Sequence, residues 1–240
     1  MTLIPQREDP TIEALKRAYV EANEAREVRD YLGASAIGEP CARKIWYRYN
    51  HYPEPPMNFQ SVSAINSGHH GEAEMARRLR LLPFIDLWTH DENGKQFERV
   101  ALDGKFRCHP DGIIRGLLQA PKTLHIWENK DCGQKKFDEF KAVKMKFGEK
   151  AALKNWNETY YAQAQVNMHL FEMDRHYLTV GLAGGRDILS CRTEYVPEEA
   201  ARYLDRAARI ISAQSEPARI SDKPDFWICR FCPFQEICHA

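Results

Sequence analysis

Five stretches of the chain carry apolar residues at helical spacing. Residues 11–29 place Ile12, Leu15, Ala18, Tyr19 and Ala22 on one stripe, the three-to-four-residue recurrence of an amphipathic helix. Pro40 stands at a plausible first turn of a second helix running through Tyr49. Residues 64–82, with Ala73, Ala76, Leu79 and Leu82 on one side, predict a third, and 157–173 a fourth. Residues 198–211 predict a fifth, with Ala201, Leu204, Ala208 and Ile211 turned inward. Between the third and fourth, the segments 84–90, 97–102, 107–115 and 123–130 alternate or run apolar at strand length, with turn residues at 91–94 and 103–104. Residues 176–183 and 188–196 predict a hairpin around Gly184-Gly185, while 31–38 and the proline-rich 52–56 read as links. Helices, then strands, then helices predict one α/β domain over 1–240 with a partly antiparallel sheet.

Composition narrows this picture only a little. The 240 residues suffice for a core without covalent staples, and their hydrophobic and charged fractions, 43% and 28%, are those of an ordinary globular chain. Lysine plus arginine equals aspartate plus glutamate, at 34 each, which excludes a chain that grips nucleic acid through bulk positive charge. It does not exclude a local basic patch, because the field in a cleft depends on where charges sit. No apolar run approaches the roughly 20 residues that span a bilayer. The polar segment 1–10 does not read as a signal peptide. The expected compartment is a reducing cytoplasm, with no membrane partner.

Against that background, seven cysteines need an explanation. An odd count without a secretion signal argues against a disulfide framework. Cys229, Cys232 and Cys238 form a C-x2-C-x5-C run, in which a tight turn lets two thiolates reach one metal centre and a third close from the same side. A fourth ligand must come from elsewhere in the chain. Structural zinc usually pairs two close-spaced knuckles and there is one here, so the spacing suits an iron–sulfur cluster better than zinc.

The strand segments contain acids that a packed sheet would avoid. In Leu124-His125-Ile126-Trp127-Glu128-Asn129-Lys130, alternation turns Glu128 and Lys130 to one face beside Leu124 and Ile126. A charged pair at the end of an apolar face is costly to bury without a task. If Asp111, in Pro110-Asp111-Gly112, pairs beside it, two carboxylates converge on one divalent cation, and hard oxygen ligands of this kind suit Mg²⁺ or Mn²⁺. Lys130 would then orient a water or steady negative charge. The competing reading is a salt bridge between neighbouring strands.

Asp111 followed by Glu128-Asn129-Lys130 resembles the PD-(D/E)xK nuclease signature. Gly68-His69-His70-Gly71-Glu72 is similar to the upstream helix motif of the RecB-like and lambda-type phage exonuclease branch, with Glu72 at the position that completes the metal site. Tyr160-Tyr161-Ala162-Gln163-Ala164-Gln165 looks like the glutamine helix of phage exonucleases, and Gly33-Ala34-Ser35 like the segment that meets a DNA phosphate. The cysteine trio together with Cys41 is similar to the iron–sulfur arrangement of CRISPR-associated RecB-like exonucleases. The resemblance runs from about residue 31 to the end of the chain.

It implies a restriction-endonuclease-like fold: a central mixed sheet flanked by helices, a catalytic core over 64–196, and a cap of 1–50 with 220–240 joined by a [4Fe-4S] cluster on Cys41, Cys229, Cys232 and Cys238. It implies a Mg²⁺- or Mn²⁺-dependent DNA exonuclease in phage or recombination-linked processing, in a host cytoplasm if phage-encoded, with a single-strand annealing or recombination protein as a possible partner. A cluster-bearing DNA-binding module that does not cut, or an endonuclease of the same fold, are the alternatives. Asp111, Glu128, Glu72 and the Asn129 carbonyl would ligate the cation, Lys130 would position water, and Gln163 would position substrate or Lys130.

Two departures bear on the site. Many RecB-like members carry histidine where Glu72 stands, which places the metal geometry closer to the phage type. The RecB glutamine motif ends in tyrosine four residues on, whereas Gln163 is followed by Asn167 and Gln165 by His169, so both glutamines stay in play. For DNA, Ser35, Arg43, Lys135 and Lys136 are the candidate contacts. From 130 to 154 there are eight lysines against four acids, a cluster able to meet phosphates without reading sequence. The interleaved Phe137, Phe140, Phe147 and Trp156 read either as base-stacking groups or as the core side of an ordinary helix.

Overall fold

The computed structural model describes residues 9–23 and 29–240. The polar segment 1–8 and the last part of the predicted first helix, 24–28, lie outside the described residues. In chain order the elements are α1 (Pro10–Glu21), β1 (Leu32–Gly33) with a 3-10 turn (Ala34–Ala36), α2 (Ala42–Tyr49), α3 (Phe59–Leu79), β2 (Asp86–Trp88), β3 (Arg99–Ala101), β4 (Phe106–Cys108), β5 (Gly112–Arg115) and β6 (His125–Cys132). Then follow α4 (Gln134–Phe147), α5 (Ala152–Trp156), α6 (Glu158–Leu170), β7 (Arg175–Leu182), β8 (Ile188–Glu194), α7 (Pro197–Ser212) and α8 (Gln235–His239). Among the described residues, no helix is long and apolar enough to cross a membrane.

The chain is an α/β protein with a central mixed sheet flanked by helices. Five strands run in the order β2-β5-β6-β7-β8, with β6 and β7 parallel and the other neighbours antiparallel. The parallel pair needs a crossover, and α4, α5 and α6 supply it. A second, small sheet, β1-β4-β3, stands beside it. One face of β6 turns Ile126 into the main core with Phe137, Phe140 and Val166, while the other turns Trp127 into a smaller core with Met75, Leu87 and Ile114.

Caps fix the helix starts. The Asn58 side chain accepts from Ser61 N at 2.9 Å, and so opens α3 at Phe59, five residues earlier than its apolar stripe suggests. Asn157 likewise accepts from Tyr160 N at 3.0 Å at the start of α6. Three expectations are corrected. Residues 107–115 are not one strand: the chain leaves the small sheet at Cys108 and enters the large one at Gly112, because Pro110 has no N–H to continue a ladder. The buried stripe of α7 is Ala200, Tyr203, Ala207 and Ile210, one residue earlier throughout than predicted. In α3 the buried positions are Val62, Met75 and Ala76, so of the predicted stripe only Ala76 is buried.

His176 on β7 is buried with no hydrogen-bond partner for either ring nitrogen among the described residues. Burial, then the Lys130 and His125 charges, push it down to about 3. The unfolded chain takes up this proton near the ordinary value of 6.5, so it binds more protons than the folded chain between those limits. Stability is therefore full above that window and falls with acidification, by about 1.4 kcal/mol per pH unit for one such group. Between about pH 7.5 and about pH 5.5, urea unfolding of wild type and His176→Leu should differ in pH slope by the share of one proton, the wild type being the more acid-sensitive. An unchanged slope in the variant would remove His176 as its source.

Candidate active site

Asp111 occupies the link between the two sheets, directly before β5. Its Oδ2 accepts the backbone N–H of Asn129 at 2.8 Å, which pins the link to β6 one residue past Glu128. Glu128 and Lys130 share a face of β6, and Lys130 Nζ donates to Glu128 Oε2 at 3.0 Å, the two side chains being 3% and 22% exposed. Glu72, on α3, joins Asp111 and Gln163 in lining a cleft of about 440 Å³.

The Glu128 carboxylate has further donors. Gln163 Nε2 lies 3.1 Å from each of its oxygens, and Asn167 Nδ2 donates to Oε1 at 2.8 Å. Gln165 points elsewhere: it donates to Glu194 O at 2.9 Å and accepts from Val196 N at 2.8 Å, tying α6 to the β8–α7 connection. The geometry therefore places Gln163, not Gln165, on Glu128, and shows no bond from Gln163 to Lys130. Asn129 is fixed from its side chain: Nδ2 donates to Asp131 Oδ1 at 3.0 Å, and Oδ1 accepts from Thr179 Oγ1 at 2.9 Å. Thr179 in turn accepts from Trp127 Nε1 at 3.0 Å. Sequence reasoning missed Asn167 and Thr179. Asn167 carries a signal in the sequence, since residues four apart on a helix share a face and residues two apart do not.

The electrostatics are those of acids crowded together. Burial, then the Asp111 charge, raises Glu72 to about 7 against the pull of Lys130. Burial, then Asp111, raises Glu128 to about 8, again against Lys130. Burial alone would lower the Lys130 ammonium, but Glu128 and Asp111 outweigh it and hold it above its usual value. The two carboxylates thus favour the protonated form of Lys130. Three carboxylates within one another's fields are a donor set that a hard divalent cation would relieve, and so the residues fit Mg²⁺ or Mn²⁺. Among the described residues, no group of three or more His, Cys, Asp or Glu side chains is already arranged as a metal site.

Ser35 lines the same cleft, together with Arg29, Tyr31, Arg107 and His109. Arg43 does not line it; Arg43 Nε donates to Pro217 O at 2.6 Å and Nη1 to Cys238 Sγ at 3.8 Å. Lys136 lines a second cleft of about 350 Å³ with Lys130, Trp156 and Tyr160, and Lys135 stands exposed beside it in the first turn of α4. Phe137 and Phe140 are core residues, and Trp156 packs on Phe140 with ring centroids 4.8 Å apart, which removes the two phenylalanines as base-stacking groups. Lys144, Lys150 and Lys154 are bound to Ser190 O, Glu194 and Glu199.

Cys41, at the start of α2, and Cys229, Cys232 and Cys238 of the tail line one small cavity of about 20 Å³. Burial first, then the neighbouring Cys41, Cys238 and Cys232, pushes the Cys229 thiol up. The tail is held there by Tyr47 against Phe234, with ring centroids 5.2 Å apart. The Trp46 Nε1 bond to Ala213 O, at 3.0 Å, fixes α2 to the end of α7.

No family model matches the chain, and no curated protein matches it. Solved structures do. The crystal structure of SSO0001 superposes with a TM-score of 0.52 over 97% of this chain and 98% of its own, at 15% identity. An alkaline exonuclease, LHK-Exo from Laribacter hongkongensis, superposes with a TM-score of 0.52 over 82% of this chain and 91% of its own, at 12% identity. The likeness is one of fold, and it spans nearly the whole chain.

Proposed function

We propose that the protein is a Mg²⁺- or Mn²⁺-dependent DNA exonuclease. The observation that carries this reading is the convergence of Asp111 and Glu72 on one cleft, with Glu128 and its partner Lys130 joined to them through β6 and Gln163. The fold shared with an alkaline exonuclease supports it. Asp111, Glu128 and Glu72 would hold the cation, with the Asn129 carbonyl as a further ligand. A bound cation supplies Lewis-acid polarisation of the phosphodiester. The protein supplies the rest. Lys130, in its protonated form, orients the attacking water and steadies the negative charge that develops on the phosphate. Gln163 holds Glu128 in register. Ser35 contacts the backbone of the strand in the main cleft, and Lys135 and Lys136 contact phosphates beyond Lys130. Arg43 serves the cysteine cavity in this reading, not DNA.

The four cysteines that line the small cavity would be the ligands of a [4Fe-4S] cluster, with zinc as the other occupant of the same donor set. Its role is structural: it would clamp the tail to α2 and complete a cap of 1–50 with 220–240 over a core of 64–196. A place in phage or recombination-linked DNA processing, beside an annealing protein, is the setting that fits.

The test is digestion of 5′- and 3′-labelled linear DNA, single- and double-stranded, with Mg²⁺, Mn²⁺ or EDTA, alongside covalently closed circles. Release of mononucleotides from ends, abolished by EDTA, is the expected result. Cutting of closed circles would make it an endonuclease, and no digestion under any cation would leave the non-cleaving alternative. Iron and sulfide analysis of the same anaerobic preparation should find both; stoichiometric zinc alone would overturn the cluster.

A further inference from the structure

Between Tyr161 and Met168 every residue of α6 is buried, so this segment has no solvent face on which a polar side chain could be idle. Gln163 and Asn167 lie four apart, on the side toward β6. Gln163 reaches the cleft, whereas Asn167 does not line it. Asn167 is 0% exposed, donates once, to Glu128 Oε1 at 2.8 Å, and leaves its Oδ1 without a partner among the described residues. An unmet buried acceptor destabilises the fold, because its hydration is lost and not replaced. A leucine, of similar reach, would fill the same space without that cost. Packing alone therefore gives no reason for an amide here, and its one bond goes to a carboxylate that is itself buried.

We propose that Asn167 is a positioning residue, present to hold Glu128 Oε1 in place for cation binding, at the expense of core stability. The division of labour follows from the donors. Oε2 is held by Lys130 and Gln163, and Oε1 by Gln163 and Asn167. Gln163 is shared equally between both oxygens at 3.1 Å, so it favours neither and leaves rotation about the Cγ–Cδ bond to the other donors. Asn167 and Lys130, one on each oxygen, fix the rotation. With Glu128 ionised by a bound cation this bond would be charge-assisted and stronger than a neutral one, and loss of such an outer partner typically weakens metal binding by about 10- to 100-fold.

This rests on the nuclease reading, and the experiment separates the two. Mn²⁺ affinity is measured on the folded protein by titration of the free ion, and stability by urea unfolding of the metal-free protein. Asn167→Leu is expected to unfold at the same or a higher urea concentration, yet to bind Mn²⁺ about 10- to 100-fold more weakly. Its kcat should fall with little change in KM for DNA. Asn167→Ala, compared with the neighbouring cavity variant Val166→Ala, gives the same reading if the leucine variant fails to fold: only the Asn167 variant should lose Mn²⁺ affinity. Equal Mn²⁺ affinity in wild type and Asn167→Leu, or in Asn167→Ala and Val166→Ala, overturns the positioning role and leaves the nuclease reading standing. Wild-type protein that binds no Mn²⁺ overturns the nuclease reading and this proposal with it.

Discussion

Asp111→Asn and Lys130→Met should each cost about 10³-fold or more in cleavage rate while leaving the protein folded and bound to DNA. The two substitutions act on different parts of the same balance. An asparagine at 111 keeps an oxygen to accept the Asn129 N–H, so the link into β5 is not released. What it loses is the charge that raises Glu72 and Glu128 and would attract a cation. Removing that charge also removes repulsion toward phosphate, so DNA affinity should be unchanged or tighter. Methionine at 130 keeps the length and packing of the stem but removes the ammonium from Glu128 Oε2. Pre-steady-state digestion, with DNA binding measured by anisotropy in EDTA, reads both quantities. Cleavage within tenfold of wild type in either variant would sink the assignment of these residues.

A large loss of stability should follow from a side chain at Gly38. A Cβ there would stand 2.4 Å from Thr159 Cα and 2.8 Å from Glu158 O, both backbone atoms of α6 that no rotamer change can move. Gly38→Ala must therefore push the segment after the 3-10 turn off the start of α6. Overpacking against backbone of this kind costs about 3 kcal/mol. For a chain of this size that corresponds to a melting temperature lower by about 6–12 °C. The same shift would disturb the Arg206 contacts that hold this segment, in which the guanidinium donates to Ile37 O at 2.9 Å and to Glu39 O. Calorimetry of the variant checks the size of the effect. Wild-type stability in Gly38→Ala would mean that the contact is not the constraint it is taken to be.

Much of this was legible in the chain. Five of the helices, the hairpin of β7 with β8 and the shared face of Glu128 and Lys130 follow from period and turn chemistry, whereas α4, α5 and α8 are not among the predicted elements. The failures have identifiable causes. The α7 stripe was misplaced by one residue because Ala200, Ala201, Ala207 and Ala208 offer two nearly equivalent phases, and Tyr203, which buries its ring and bonds Glu158 through its hydroxyl, decides between them. The break at 109–111 was hidden by apolar residues on both sides of Pro110. The choice between Gln163 and Gln165 could not come from a motif, since both lie in the same buried helix; it came from what each side chain faces across the sheet. The separation of Arg43 from the cleft depends on a tail nearly two hundred residues away, which no local pattern encodes.

The break at Pro110 has a mechanical side. β4 belongs to the small sheet whose β1 leads into the Ser35 turn lining the cleft, β5 belongs to the large sheet that carries Glu128, and only three residues join them. Asp111 sits in that joint. The small-sheet wall of the cleft and the joint that carries Asp111 are thus one continuous piece of chain, and the small sheet cannot tilt outward without carrying a carboxylate with it. The width of the cleft and the placing of Asp111 are geared together through a coupling one tripeptide long.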